Sequence, residues 1–154
     1  MTEASQTEVL FYHLERSPLE RVLPDLLEKT LERGWRAVVQ GGSQERVEAL
    51  DSILWTYRED SFLPHGTARD DHAEAQPVFL TCDDETPNGA SVRFFVDGAE
   101  SSDLVGYERV VFLFDGQDET AVAKAREQWT SAKDAGHAVT YWQQDEQGKW
   151  QKKA

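Results

Sequence analysis

Three acidic residues, Asp115, Asp118 and Glu119, follow the most apolar run of the chain and precede a long helical pattern. In an α/β protein the carboxyl edge of the sheet is where a magnesium-dependent hydrolase or phosphotransferase holds its metal, so the cluster is a candidate metal site. Carboxylates at a helix N-terminus also have a plainer role, which is to stabilise the helix dipole. We favour that role, because no second group of carboxylates is aimed at the same edge. Gly41-Gly42 falls between a strand and a helix, where dinucleotide sites carry glycines. Neither GxGxxG nor GxxxxGK[ST] is present, so the pair is read as a tight turn. Asp83, Asp84 and Glu85 read as solvated turn residues. The histidines, His13, His65, His72 and His137, show no ligand spacing. Cys82 precedes those three acids, which disfavour its thiolate and make it a poor nucleophile.

Recognition chemistry is better represented. In the last helical segment Val122, Ala125, Trp129 and Ala132 form an apolar stripe. Arg126 and Lys133 flank Trp129 on neighbouring turns, and Lys124 lies at the other side of the stripe. An aromatic surface edged by cations suits an acidic peptide that ends in an aromatic residue. The competing reading places Trp129 in the core. A second stretch, residues 50–66 (LDSILWTYREDSFLPHG), begins as a helix end with Leu50, Ile53 and Leu54. It is then expected to break into an irregular segment carrying Trp55, Tyr57, Phe62, Leu63, Pro64 and His65. So many large apolar groups are either buried or shown to a partner, and a homodimer closed by the Phe62 loop is one form of the second case.

The elements that must position these residues follow from pattern. EVLFYHL (8–14) reads as a doubly buried strand. Ser17-Pro18-Leu19-Glu20 reads as a capping box with proline at the first helical position, and opens a helix ended by Gly34. Pro24 inside that helix predicts a bend or restart. A strand over 36–40 and a helix capped by Ser43 come next. Strands over 77–81 and 91–96 are expected to flank an acidic hairpin turn marked by Asn88-Gly89. A strand over 107–114, a helix over 118–135 and a strand over 137–142 complete the pattern. Residues 67–76 are expected as a mobile loop. Alternating strands and helices predict a single-domain, three-layer α/β fold over 8–142. Its sheet is mostly parallel but mixed, and the fold is Rossmann-like without a nucleotide fingerprint. Residues 1–7 and 143–154 are expected to be flexible termini.

The 154 residues carry a formal net charge of -13, which opposes contact with phosphate backbones and argues against direct nucleic-acid binding. One cysteine forms no internal disulfide. No signal peptide or membrane-length apolar run is seen, so the expected location is the cytoplasm, and no cofactor is expected.

Four segments together resemble the chi subunit of bacterial DNA polymerase III: Val9-Leu10-Phe11-Tyr12, the 50–66 stretch, QPVFL at 76–80, and AREQW at 125–129 with Ala135-Gly136. The central stretch is the most specific, and the resemblance runs from Val9 to about Trp142. It implies a non-enzymatic adaptor of the clamp loader with two sides. One side binds the psi subunit or an equivalent clamp-loader protein. The other binds the acidic, phenylalanine-ended tail of the single-stranded-DNA-binding protein. By motif position, Trp55 and Phe62 fall where the psi-contacting aromatics lie, beside Leu63, Pro64 and His65. Arg126 and Trp129 fall where a basic and an aromatic residue line the tail pocket. Thr130 stands where the family pattern has a lysine, Val122 replaces another lysine, and Asp115 an apolar residue. Lys124 and Lys133 are expected to supply the missing charge.

Overall fold

A computed structural model describes residues 7–15, 17–56, 64–67, 72–99, 104 and 106–154. One eight-stranded sheet organises them, in the order β3-β4-β2-β5-β6-β1-β7-β8. The strands are β1 (Glu8–Leu14), β2 (Ala37–Gln40), β3 (Gly66–Thr67), β4 (Val78–Thr81), β5 (Val92–Phe95), β6 (Arg109–Asp115), β7 (Ala138–Gln144) and β8 (Trp150–Lys152). All neighbours pair in parallel except β7 with β8. The helices are α1 (Leu19–Glu32), α2 (Gln44–Thr56) and α3 (Glu119–Asp134).

Alternation along the strands sorts the apolar side chains into two layers. On one face Leu14, Val39, Leu80, Phe94, Val111 and Leu113 pack against α1 and α2, through residues such as Leu23, Leu27, Leu50 and Leu54. On the other, Val9, Phe11, Phe95, Val110, Phe112 and Phe114 receive Ala125 and Ala132 of α3. The result is the expected three-layer arrangement with a mostly parallel mixed sheet.

Several local expectations are corrected. Helix α1 begins at Leu19, with Pro18 as an extended N-cap residue (ψ 160°) and no side-chain capping bond. Ser17 instead accepts a hydrogen bond from Gln144 Nε2 at 3.3 Å, and Glu20 pairs with Arg46. The helix passes Pro24 without a restart. Ser43 does cap α2, its Oγ accepting from Arg46 N at 3.2 Å. Trp55 belongs to the last turn of α2 rather than to an irregular segment. Of the expected mobile loop, Thr67 is buried in β3 and residues 73–75 form a helical turn, while 68–71 lie outside the described residues.

The expected hairpin between β4 and β5 is a crossover. Both strands run parallel to β2, one on each side of it, and parallel strands need a connection that travels the length of the sheet. Residues 82–91 make that journey without an α-helix. The buried Asn88 anchors the corner, donating to Ala37 O and Gln76 O at 3.1 and 2.9 Å, and Gly89 takes φ +66°.

Arg93 holds the crossover to the sheet. It is fully buried. Its guanidinium donates to the carbonyls of Asp83 and Glu85 at 3.0 and 2.8 Å, and to Thr86 Oγ1 at 3.1 Å. It also donates to Gln40 Oε1 at 2.6 Å and Tyr107 Oη at 3.3 Å.

The tail corrects another expectation. Residues 143–154 extend β7 and add β8 instead of fraying. Asp145 closes the turn between them, Oδ1 accepting from Gln147 N and Lys149 N at 2.9 and 2.8 Å. At the other terminus Thr7 is buried, its hydroxyl donating to Tyr107 O at 3.0 Å. Residues 1–6 are outside the described set.

Two predictions follow from this architecture. Arg93→Met keeps the bulk but removes every donor from the crossover carbonyls. It should cost roughly 3 kcal/mol in chemical denaturation, and an unchanged unfolding midpoint would refute the role given to the guanidinium. For Asp145, the backbone N–H of Lys149 is the largest influence and lowers the carboxyl pKa below its ordinary value. A carboxyl depressed in the folded state contributes stability above its unfolded pKa and loses it as pH falls through the folded one. Amide protection in β8 should therefore drop on acidification below about pH 4 and become insensitive to acid in Asp145→Asn.

Candidate functional site

Strand β6 leads into α3 on one face of the sheet, and its neighbour β1 leads into α1 on the other. At such a switch point the two connections part and leave a crevice beyond the strand ends. A cavity of about 810 Å³ occupies this position. Its floor is aromatic, from Phe95, Phe112 and Phe114, and Asp97, Asp115 and Asp118 are among its wall residues. Arg46 bridges the mouth, with Nε 2.6 Å from Asp97 and Nη1 3.3 Å from Glu20.

The acidic cluster at this edge takes the plainer of its two roles. Asp118 is the N-cap of α3, Oδ1 accepting from Thr120 N and Ala121 N at 3.0 and 3.3 Å. Asp115 accepts from Gln117 N at 2.9 Å. Glu119 is exposed in the first helical turn. Among the described residues no three potential ligands lie together as a metal site would require. The Gly41-Gly42 pair makes a close turn: a Cβ at Gly42 would stand 2.9 Å from Asp97 O.

The four residues singled out on α3 do not converge. Trp129 is half-buried, edge-on to Phe11 and Tyr141 with ring centroids 5.7 and 5.9 Å away. It therefore combines the core reading with the surface one. Lys133 Nζ sits 5.6 Å from its ring centroid, and Arg126 is exposed nearby on the same side of the helix. Lys124 projects the opposite way, into the switch-point cavity beside Gly98. It cannot replace a cation at Trp129.

Beneath that patch lies a polar chain that sequence reading missed. His13 Nδ1 is 2.6 Å from Tyr141 Oη, and His13 Nε2 is 3.1 Å from Glu15 Oε1. Gln143 Nε2 donates to the same carboxylate oxygen at 3.3 Å. The imidazole fits because residue 116 is glycine; a Cβ there would overlap the His13 ring. Burial raises the Tyr141 pKa above its ordinary value, with Arg126 lowering it and Glu15 raising it to smaller degrees. The available signal was spacing by two: Glu15 follows His13 by two residues just past the end of β1, and Tyr141 and Gln143 share a face of the neighbouring β7.

The second candidate surface is at the end of α2. Trp55 is 55% exposed, the large apolar side chain most open to solvent among the described residues. His65, with a fully buried side chain, lies under it at 4.7 Å between ring centroids and 54° between planes. His65 Nε2 is 3.0 Å from Asp51 Oδ1. Asp51 and His65 thus tie together the two ends of the 50–66 stretch. Pro64 is half-buried beside them, while Tyr57, Phe62 and Leu63 lie outside the described residues. Asp51→Ala should release the imidazole, shift the Trp55 indole N–H resonance and cost about 1–2 kcal/mol. An unmoved Trp55 resonance, alongside unmoved Trp35 and Trp142, would show that the pair does not hold that ring.

Among the described residues no helix is long and apolar enough to cross a membrane. Residues 6–140 match the family model described as DNA polymerase III chi subunit, HolC. A relative described as probable DNA polymerase III subunit chi, from Rickettsia prowazekii (strain Madrid E), is 25% identical over 103 residues. That alignment takes in 67% of this chain and 62% of the relative's length. With the family model spanning nearly the whole sheet and all three helices, the chain belongs to the DNA polymerase III chi subunit family.

Proposed function

We propose that the chain is a non-catalytic, cytoplasmic adaptor of the replication machinery, linking the clamp loader to the single-stranded-DNA-binding protein by holding that protein's acidic C-terminal tail. The observation that carries this reading, given the family, is the grouping of exposed Arg126 and Lys133 around the half-buried Trp129 ring. The cations pair with tail carboxylates, and the apolar margin takes the terminal aromatic ring. Lys124 is left out, because it faces the switch-point cavity.

Trp55, with Pro64 and His65 behind it, is the proposed contact for psi or an equivalent clamp-loader protein. It stands on the layer opposite α3, so one partner need not exclude the other. Affinity then comes from linkage: a weak tail contact, repeated on an oligomeric partner and tethered to the clamp loader, raises the local concentration of each. The body's net charge of -13 keeps it off DNA while the patch takes an acidic peptide. A magnesium-dependent enzyme built on Asp115, Asp118 and Glu119 gains no comparable support, since two of the three carboxylates are already engaged by backbone N–H groups.

Titration of a labelled acidic peptide ending in Asp-Phe tests the reading. Saturable binding is expected, weakened about tenfold in Arg126→Ala and less in Lys133→Ala, and weakened by salt because the ion pairs are exposed. Absence of saturable binding to the folded protein at low salt would sink the tail-binding proposal.

A further inference from the structure

We propose that His13, held between Tyr141 and Glu15 beneath the Arg126–Trp129 patch, sets the strength of tail binding through its protonation state. The inference rests on the tail-binding reading above and concerns how that site is regulated.

The hydrogen-bond inventory fixes the direction. A carboxylate only accepts, so Glu15 at 3.1 Å requires a proton on His13 Nε2. In the neutral imidazole Nδ1 is then an acceptor, and the Tyr141 hydroxyl at 2.6 Å must donate inward to it. The oxygen offers the patch only lone pairs, which repel an incoming carboxylate. When His13 takes a proton from solvent, Nδ1–H donates to Tyr141 Oη instead. The hydroxyl hydrogen is released to turn outward, and a positive charge lies below the patch. Both changes favour an anion.

The surroundings support such a switch. From the residue just after β1 comes Glu15, from β7 Tyr141 and Gln143, from β6 the Phe114 ring at 5.2 Å and then the Gly116 backbone. From α3, Trp129 stacks edge-on against Tyr141, and the Arg126 guanidinium acts on the same phenol. Lys133 Nζ stands over the same Trp129 ring, and Ala154 O accepts from Tyr141 N at 3.3 Å. Burial keeps the Tyr141 hydroxyl protonated, so the phenol relays the change without titrating itself. Histidine titrates near neutrality in general, whereas peptide aspartates stay ionised above about pH 5. The dependence therefore belongs to the protein.

The test is the Asp-Phe peptide titration at about pH 8 and about pH 6. Wild type should bind roughly five- to tenfold more tightly at the lower pH, the scale of one charge-assisted hydrogen bond. His13→Gln should bind equally at both, and Tyr141→Phe, which keeps the ring packing, should lose most of the difference. His137→Gln should retain it. Arg126→Ala should bind weakly throughout, which tests the patch and not the switch. Binding that depends on Arg126 but not on pH, or a pH response surviving in His13→Gln and Tyr141→Phe, would overturn the inference alone. No wild-type binding at either pH would overturn both. Imidazole nitrogen NMR of the free protein gives an independent check: at about pH 8, Nδ1 must be the unprotonated nitrogen, and the opposite tautomer refutes the relay whatever the peptide does.

Discussion

The guanidinium of Arg93 satisfies a connection that no helix satisfies. Reaching β5 from β4 in parallel requires the chain to cross the sheet, and the usual solution is a helix that bonds its own carbonyls. Here residues 82–91 cross in irregular conformation, and carbonyls turned inward need donors. Arg93, on the strand that the connection reaches, supplies them to Asp83 and Glu85, while Gln40 and Tyr107 complete its shell from β2 and a residue just before β6. Strand β5 is thereby fixed between β2 and β6. Strand β6 can then take β1, and β1 takes β7. The position of α3, and of everything its surface carries, depends on that sequence of pairings.

The same pairing makes a crevice and removes the chemistry usually found in one. In dinucleotide folds the first strand-to-helix turn brings glycines and free N–H groups to a phosphate. In this chain that turn carries Glu15, and Pro18, which has no N–H, stands at the N-cap of α1. Asp118 occupies the corresponding N–H groups of α3. The crevice keeps the geometry of a nucleotide site and opposes a phosphate at each helix start. This accounts physically for a Rossmann-like arrangement without the fingerprint.

What the sequence made legible tracks how local the determining physics is. Apolar period and caps located β1, α2, β6 and α3 within a residue or two, since strand burial and the Ser43 and Asp118 caps are short-range effects. The fold class followed from strand–helix alternation. Asn88-Gly89 misled because a turn signal specifies a bend and not which strands it joins; β2 claims both neighbours through long-range pairing. The tail misled because its polar composition conceals an Asp145 turn whose partners are three backbone and side-chain donors. At the candidate surfaces, helical spacing put Lys133 beside Trp129, where its Nζ lies over the ring, but could not show Lys124 turning to the cavity. Histidine spacing searched for metal ligands could not reveal His13 or His65, whose partners are a phenol and carboxylates from other turns.

The two candidate surfaces differ in what they have left to bury. Trp129 already packs on Phe11 and Tyr141, so a partner there gains little further apolar area, and the exposed charges of Arg126 and Lys133 must carry much of the recognition. Trp55 stands on a helix end with more than half of its surface in water. Its ring is backed by a buried imidazole that Asp51 holds in place, so covering it removes a large aromatic surface from solvent with little rotamer freedom left to lose. In the adaptor reading the α3 surface is therefore the salt-sensitive, readily reversed contact. On the same reading the α2 surface is the hydrophobic one that stays attached. An adaptor needs that division, because the partner that exchanges must be released without loosening the partner that tethers.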